Sequence, residues 1–167
     1  SSTGVTVRGT DVGGTAQGES APETADEYRF FAFLDAVDVA RGAHRAPEEG
    51  FDAVAVGNIL DPALRELRGL LDIPVIGLLE ANVLLSAVGA DRIGIVTDTT
   101  RFERMIADTL RTYQLTDRVA ALDNADVMTP AIEACFHDDE VAQAAVVDEF
   151  EAAGERCVDR GAELLLP

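Results

Sequence analysis

Short apolar runs alternate along this chain with longer amphipathic segments, and this alternation most constrains the fold that the sequence can adopt. The runs are rich in Val, Ile, Leu and Ala and predict strands over residues 5–7, 52–56, 74–77, 92–97, 119–122 and 163–166. Apolar residues at helical spacing predict helices over residues 26–45, 61–71, 80–88, 100–113, 129–135 and 139–159. Strands that alternate with helices of this length favour parallel sheets covered by helices, so the sequence predicts an α/β fold.

The chain of 167 residues is strongly acidic, and its charge excludes one class of function. It carries 13 Lys plus Arg, all of them Arg, against 31 Asp plus Glu, which gives a net charge of −18. A general DNA or RNA binder needs a basic patch, so this class is excluded. An acidic composition without lysine favours a halophilic protein, because 1 M salt screens charge repulsion to within about 3 Å. A GC-rich genome is the alternative explanation for the use of Arg.

The sequence carries no sign of a membrane span, a secretion signal or a disulfide framework. The apolar run Val83–Leu85 is far shorter than the ~20 residues that a membrane span needs. Residues Ser1–Gly4 contain no basic residue, and no apolar segment follows them. Cys135 and Cys157 lack metal-ligand spacing and fall within predicted helices, so we expect buried thiols. These features predict a cytoplasmic protein with no membrane partner.

Polar residues follow two of the predicted strands at the point where a helix is expected to begin. Gly57 and Asn58 follow one strand, and residues Thr97–Thr100 end the other. Free backbone N–H groups at a helix N-terminus bind anions, and α/β folds place their ligands at the carboxyl ends of strands. The two turns are therefore candidates for a ligand site.

Helix capping offers a second interpretation of the same turns. Asp61 followed by Pro62 is typical of an N-cap and a first helical residue. Thr100 and Glu103 have the spacing of a capping box. The turns alone do not distinguish a ligand site from two capped helices.

Nucleotide-binding and regulator folds fit the alternation but not the local sequence. The glycine-rich stretch Gly13–Gly18 lacks both the GxGxxG spacing and the lysine of a P-loop. A response-regulator-like domain needs a lysine beside its acidic cluster, and this chain has none.

A more specific pattern lies in the segments Gly50–Leu64 and Leu71–Ala81. They resemble the hydantoin racemase-like branch of the Asp/Glu/hydantoin racemase superfamily, whose pattern is G-[YF]-D-A, a strand, C-x-x-D-P-x-L and D-I-P-V-x-G-x-x-E-A. Asp91–Thr97 resembles the strand that opens the family's second lobe, and Gly161–Leu166 resembles the strand that leads to its second catalytic cysteine. The resemblance extends over residues 45–167.

The resemblance implies two similar lobes, each a parallel sheet flanked by helices, with a ligand cleft between them. We expect the first lobe over residues 1–86, without the family's first strand. The second lobe is expected over residues 87–167, truncated at its end.

The resemblance also implies proton transfer at an α-carbon without a metal, pyridoxal phosphate or a nucleotide. In the family, a thiolate from one lobe removes the proton and a thiol from the other returns one to the opposite face. Asn58 occupies the first cysteine position, or Gly57 if the alignment slips by one residue, and the second position lies beyond Pro167. Asn58 cannot deprotonate carbon, but its amide can donate hydrogen bonds to a carboxylate or an enolate.

Two functions remain open on these residues. The first is a racemase, isomerase or decarboxylase that acts on a small carboxylate or hydantoin-like compound. The second is a non-catalytic module that binds a small carboxylate. Both predict the same ligand site, formed by Gly57, Asn58, Glu80, Thr97, Asp98, Thr99 and Thr100. Glu80 has an alternative as the N-cap of the helix over residues 80–88. The expected partners are this small molecule and, in a homo-oligomer, further copies of the chain.

Overall fold

The computed structural model describes residues 7–9, 29–127 and 140–167. The helix predicted over residues 129–135 lies outside them, as does most of the strand predicted over residues 5–7. In the described part of the chain, no helix is both long enough and apolar enough to cross a membrane.

The first sheet consists of two parallel strands, β1 (Val54–Val56) and β2 (Val75–Gly77), with Val54 opposite Val75. Its helices are α1 (Arg29–Ala43), α2 (Leu64–Leu70) and α3 (Leu78–Ser86). Buried apolar side chains of β1, β2 and α2 form a common core, and partly buried residues of α1 pack against it. The helix and strand predictions for this half are thereby confirmed, except for the helix starts corrected below.

The second sheet has three parallel strands in the order β4–β3–β5. The strands are β3 (Ile93–Thr97), β4 (Val119–Asn124) and β5 (Leu164–Leu166), and the helices are α4 (Thr100–Tyr113), a 3-10 turn (Thr116–Arg118) and α5 (Glu140–Asp159). All five residues of β3 are buried. An uninterrupted buried strand is expected at the centre of a parallel sheet that is covered on both faces. The predicted α/β fold, with parallel sheets flanked by helices, is confirmed.

A shared core joins α3 to the second sheet. Its fully buried members, each no more than 2% exposed, are Leu79, Val83, Ile93, Ile95, Ile106 and Leu110. Burial of each such side chain stabilises the fold by about 1.5–3 kcal/mol. This core spans the lobe boundary expected at residues 86 and 87, and the boundary itself stays a prediction.

Helix α5 packs closely on β3 because position 94 lacks a side chain. A Cβ atom on Gly94 would lie 2.8 Å from the Cβ of Ala162 and 3.0 Å from the Cβ of Cys157. Atoms this close would overlap, so a larger residue would push α5 away from the sheet.

The start of α2 differs from its prediction. The helix begins at Leu64, not at Asp61, and Pro62 is not its first residue. Asp61 and Ala63 both adopt the left-handed backbone conformation, with φ of 49° and 58°. A helix cannot pass through such residues, which is why α2 starts two residues later than the Asp-Pro signal indicates.

The starts of α3 and α4 also require correction. Helix α3 begins at Leu78 with Gly77 as its N-cap, so the interpretation of Glu80 as an N-cap is wrong. Helix α4 is capped by Thr99, whose Oγ1 accepts a hydrogen bond from a backbone N–H of the first turn, and Thr100 is the first helical residue. The capping position is one residue earlier than predicted.

Candidate functional site

The turn after β1 carries Asn58 on the surface. Its Oδ1 accepts a hydrogen bond from the Leu60 N–H at 2.9 Å, and its backbone carbonyl accepts one from the Asp61 N–H at 3.0 Å. The Asn58 Nδ2 group has no hydrogen-bond partner among the residues that the structure describes. Gly57 beside it is also exposed, and nothing within 4 Å would touch a Cβ added there. The turn therefore presents a free amide donor next to open space.

Asp61 lies beneath this turn and caps a helix other than its own. Its side chain is buried, with 5% exposure. Oδ1 accepts a hydrogen bond from the Leu79 N–H at 3.0 Å, and Oδ2 accepts one from the Glu80 N–H at 3.0 Å. Both donors belong to the first turn of α3, whose N-terminus is the positive end of the helix dipole. Asp61 thus serves α3 in the way that a local cap would.

Two further residues complete this arrangement around Asp61. The hydroxyl of Tyr113, at the end of α4, donates a hydrogen bond to Asp61 Oδ2 at 3.1 Å. Burial and the adjacent Asp61 carboxylate raise the pKa of Tyr113, so the phenol stays protonated. A Cβ on Gly77 would lie 2.5 Å from Asp61 Cγ, so only glycine admits this carboxylate against the N-terminus of α3.

Glu80, predicted as a ligand-binding residue, is bound by Arg68. The Arg68 guanidinium donates to both carboxylate oxygens, at 3.0 and 2.5 Å, and to the Val75 carbonyl at 3.0 Å. Hydrogen bonding to Glu80 raises the pKa of Arg68. A bidentate pair of this kind holds both side chains in one orientation.

The turn after β3 contains the second group of predicted residues. Thr97 and Thr99 are buried, and Thr100 is exposed. Asp98 Oδ1 accepts hydrogen bonds from the Thr97 hydroxyl at 3.0 Å and from the Thr99 N–H at 2.9 Å. Asp98 Oδ2 has no partner within the described ranges. This turn therefore presents one free carboxylate oxygen beside the N-terminus of α4.

A polar network at the end of β4 was missed by the sequence analysis. The Nδ2 group of Asn124 donates to Glu103 Oε2 at 2.7 Å. Arg156 and Arg160 both bind the Asp123 carboxylate. Burial raises the pKa of Asp123, but hydrogen bonds from Arg156 and the Asn124 N–H outweigh it and hold the pKa below its ordinary value. The sequence predicted that this strand ends at residue 122, whereas β4 continues through Asp123 and Asn124. A prediction two residues longer would have placed both side chains at a strand end.

Two cavities in the described part of the chain are lined by residues other than the predicted ligand-site residues of the two turns. A cavity of about 200 Å³ beside Asp61 and Tyr113 and an apolar cavity of about 790 Å³ between α5 and β5 lie in the described part of the chain. Neither cavity is lined by Asn58 or by residues Thr97–Thr100. A cleft between the two turns stays a prediction.

The thiol of Cys157 is buried, as predicted. It lies 3.8 Å from the Ile95 carbonyl oxygen, and its burial raises its pKa. A thiol in this state is a poor nucleophile or base. Cys135 lies outside the described residues. Within those residues, no cluster of three or more His, Cys, Asp or Glu side chains could hold a metal ion.

Comparison with known proteins places the chain in a family. The model of the family "Asp/Glu/Hydantoin racemase" matches residues 11–166, which is nearly the whole chain. The protein therefore belongs to the Asp/Glu/hydantoin racemase family, and the resemblance found in the sequence is confirmed.

Individual relatives agree with this assignment. A hydantoin racemase from Pseudomonas sp. (strain NS671) is 31% identical over 98 residues, covering 59% of this chain and 39% of the relative. The structure of an allantoin racemase from Klebsiella pneumoniae aligns with 78% of this chain at 28% identity, with a TM-score of 0.64. An allantoin racemase from Pseudomonas fluorescens aligns with 81% at 22% identity and a TM-score of 0.70, which shows the same fold.

The chain spans only part of these relatives. It covers 39% of the hydantoin racemase, and 49% and 55% of the two allantoin racemases.

Proposed function

We propose that the protein is a cofactor-independent racemase, or a related isomerase or decarboxylase, that acts on a small hydantoin-like or carboxylate compound. The family match over residues 11–166 carries the proposal. The relatives named as hydantoin and allantoin racemases support the substrate class, because allantoin is itself a substituted hydantoin. A cytoplasmic location and assembly into a homo-oligomer belong to the same proposal and rest on the sequence alone.

The exposed Asn58 amide is the donor that we assign to the substrate. Its Nδ2 group would hydrogen-bond a carbonyl oxygen and stabilise the negative charge that develops there when the α-proton leaves. Gly57 beside it leaves room for the substrate to approach the backbone. Asn58 has no basic atom that can take a proton from carbon, so another residue moves the proton. We assign that role to a residue at the family's second cysteine position.

The turn after β3 offers a second set of groups that could bind such a compound. Asp98 Oδ2 can accept a hydrogen bond from a ring N–H, while the exposed N-terminus of α4 at Thr100 offers backbone donors. Buried Thr97 and Thr99 hold the Asp98 carboxylate in place. Glu80 remains a candidate at the edge of the site, positioned by Arg68.

Electrostatics favours a hydantoin over a dicarboxylate. A hydantoin ring alternates C=O and N–H groups, so it can pair with an amide donor such as Asn58 or with a carboxylate acceptor such as Asp98. A dicarboxylate would be repelled by Asp98 and by the net charge of −18. Both repulsions are strongest at low ionic strength, where they weaken the binding of a dicarboxylate.

The test is exchange and inversion at the α-carbon, measured on the protein as its gene encodes it. Optically pure allantoin and a 5-substituted hydantoin are incubated in D₂O, with deuterium uptake followed by NMR and optical rotation by polarimetry. Asn58→Ala should lower the rate by about 10²–10³-fold, the range for loss of an oxyanion donor. Asn82→Ala, on α3, is the matched control and should leave the rate unchanged.

The non-catalytic alternative makes a different prediction in the same samples. Calorimetric binding of the hydantoin or of a small carboxylate without any exchange would replace the enzyme by a binding module. Absence of both binding and exchange would reject the assignment of this site.

A further inference from the structure

Helix α4 connects the two turns of the candidate site. It begins at Thr100, directly after the turn that carries Asp98, and it ends at Tyr113. Its 14 residues span about 20 Å. The Tyr113 hydroxyl binds Asp61, which lies under the turn of Asn58. The N-terminal end of α4 thus adjoins the Asp98 turn, and its C-terminal end contacts Asp61, the residue next to the Asn58 turn.

Asp61 and Asn58 are connected by one direct backbone hydrogen bond within the turn. The Asp61 N–H donates to the Asn58 carbonyl, and the intervening Leu60 N–H donates to Asn58 Oδ1. Asp61 is held in a left-handed conformation that L-residues adopt at a cost. Three hydrogen bonds hold its carboxylate, and its N–H joins it to the turn of Asn58.

We propose that Tyr113 and Asp61 are positioning residues: the Tyr113 hydroxyl holds the Asp61 carboxylate, and Asp61 fixes the turn that presents the Asn58 amide. The proposal rests on the proposed function only in assigning Asn58 to the ligand. Without the hydroxyl, Oδ2 of the buried carboxylate keeps a single donor among the described residues, the Glu80 N–H. The side chain then gains freedom to rotate, and the Asn58 turn loosens with it.

The first test needs neither a ligand nor a reaction, because it measures the amide hydrogen exchange of the protein alone. Amide hydrogen exchange of the full-length protein is measured for Leu60 and Asp61 in wild type and in Tyr113→Phe. Loss of a hydrogen bond to a carboxylate should speed exchange at both amides by about ten-fold. The substitution removes only the hydroxyl and keeps the aromatic ring with its apolar contacts, so the rest of α4 should exchange at its wild-type rate.

Two control variants separate positioning from general loss of stability. Thr112→Val removes a neighbouring hydroxyl, which donates to the Asp108 carbonyl at 3.0 Å. Val96→Ala removes buried apolar volume from the core between β3 and α5, which includes no residue of the Asn58 turn, and lowers global stability. Neither should change exchange at Leu60 relative to the rest of the protein. Equal acceleration in Val96→Ala, or unchanged exchange in Tyr113→Phe, would overturn the proposal.

The second test uses the ligand. In Tyr113→Phe, the KM or dissociation constant of the hydantoin should rise by about ten-fold, whereas Thr112→Val should leave it unchanged. Asp61→Asn should have a similar effect, and the double variant should be no worse than Asp61→Asn alone, because both changes interrupt one connection. Additive effects would contradict the proposal. If wild type neither binds nor turns over a hydantoin, the proposed function fails, and the amide exchange still decides the role of Tyr113.

Discussion

Asp61 joins the turn after β1 to two helices, α3 and α4. It is buried, and its carboxylate accepts hydrogen bonds from two backbone amides of α3 and from Tyr113. Buried donors that lose a charged acceptor retain the full cost of their desolvation. The Asp-Pro pair in the sequence predicted a cap here, and a cap is present, but on the helix that starts 17 residues later.

Asp61→Ala should therefore lower the free energy of unfolding by about 3 kcal/mol, since hydrogen bonds to a charged group contribute about 1.5–3 kcal/mol each and act here as one unit. Urea denaturation followed by circular dichroism measures the loss. Asp52→Ala, at an exposed position, is the control and should change stability by less than about 0.5 kcal/mol. Equal stability of the two variants would contradict the capping role.

Gly77 and Gly69 provide a matched pair of glycines with opposite expected effects. A Cβ on Gly77 would lie 2.5 Å from Asp61 Cγ, whereas nothing lies within 4 Å of a Cβ on Gly69, inside α2. Gly77→Ala should destabilise the protein by about 1–3 kcal/mol through overpacking and displacement of Asp61. Gly69→Ala should stabilise it by about 0.5–1 kcal/mol through helix propensity. Thermal melts of the two variants test the difference, and a shift of the same sign in both would refute it.

At the scale of elements, the sequence predicted the strands and helices that follow from local periodicity. It missed the features that depend on contacts between residues far apart in the chain. The buried run of β3 and the long helix α5 follow from their local patterns, and both lie within a residue or two of their predicted bounds. The start of α2 was misplaced because its left-handed Asp61 is stabilised by amides of another helix. Tyr113 carried no local signal, since its partner lies 52 positions away.

The candidate site shows the same division. Its turns were predicted from polar residues at strand ends, and the structure places Asn58 on the exposed turn after β1 and Thr100 at the exposed start of α4. The bidentate hold of Arg68 on Glu80 and the contact of Asn124 with Glu103 join different elements. Spacing along one segment cannot reveal such contacts, because they depend on how the elements pack.

The link between β4 and α5 should depend on pH. Arg156 and Arg160 hold the pKa of Asp123 below its ordinary value, so the charged carboxylate is favoured in the folded state. A group with a lowered folded pKa stabilises the protein above its unfolded pKa of about 3.9 and loses that contribution as pH falls through the lower folded value. Asp123→Asn should thus cost about 1 kcal/mol at pH 7, a modest figure because both arginines are half exposed.

That cost should shrink as the pH falls below the unfolded pKa of about 3.9 and through the lower folded value. Urea unfolding of wild type and Asp123→Asn at pH 7 and pH 3 gives the two differences. Asp117→Asn, at an exposed position in the 3-10 turn, is the control and should show no difference at either pH. A cost that persists unchanged at pH 3 would mean that the carboxylate charge contributes nothing.

At the scale of the whole molecule, the excess of acidic residues sets the response to salt. With 13 Arg against 31 Asp plus Glu, no pairing of charges can neutralise the surface. The described ion pairs of Arg8, Arg29 and Arg45 are exposed, and exposed pairs contribute about 0–1 kcal/mol each. Repulsion between carboxylates, which opposes the compact state, is thus the larger electrostatic effect at low ionic strength.

The midpoint of thermal unfolding should rise between 0.05 M and 3 M NaCl. Screening predicts that most of the rise occurs below about 1 M, where the Debye length has already fallen to about 3 Å. Salting-out of apolar surface would instead give a rise that continues to 3 M. A variant with Asp148→Asn, Glu149→Gln and Glu151→Gln, three exposed positions on α5, lowers the excess charge from −18 to −15 and should melt higher in low salt, with a smaller dependence on added salt. A midpoint that is independent of salt, or the same slope in wild type and variant, would show that the acidic surface does not limit stability.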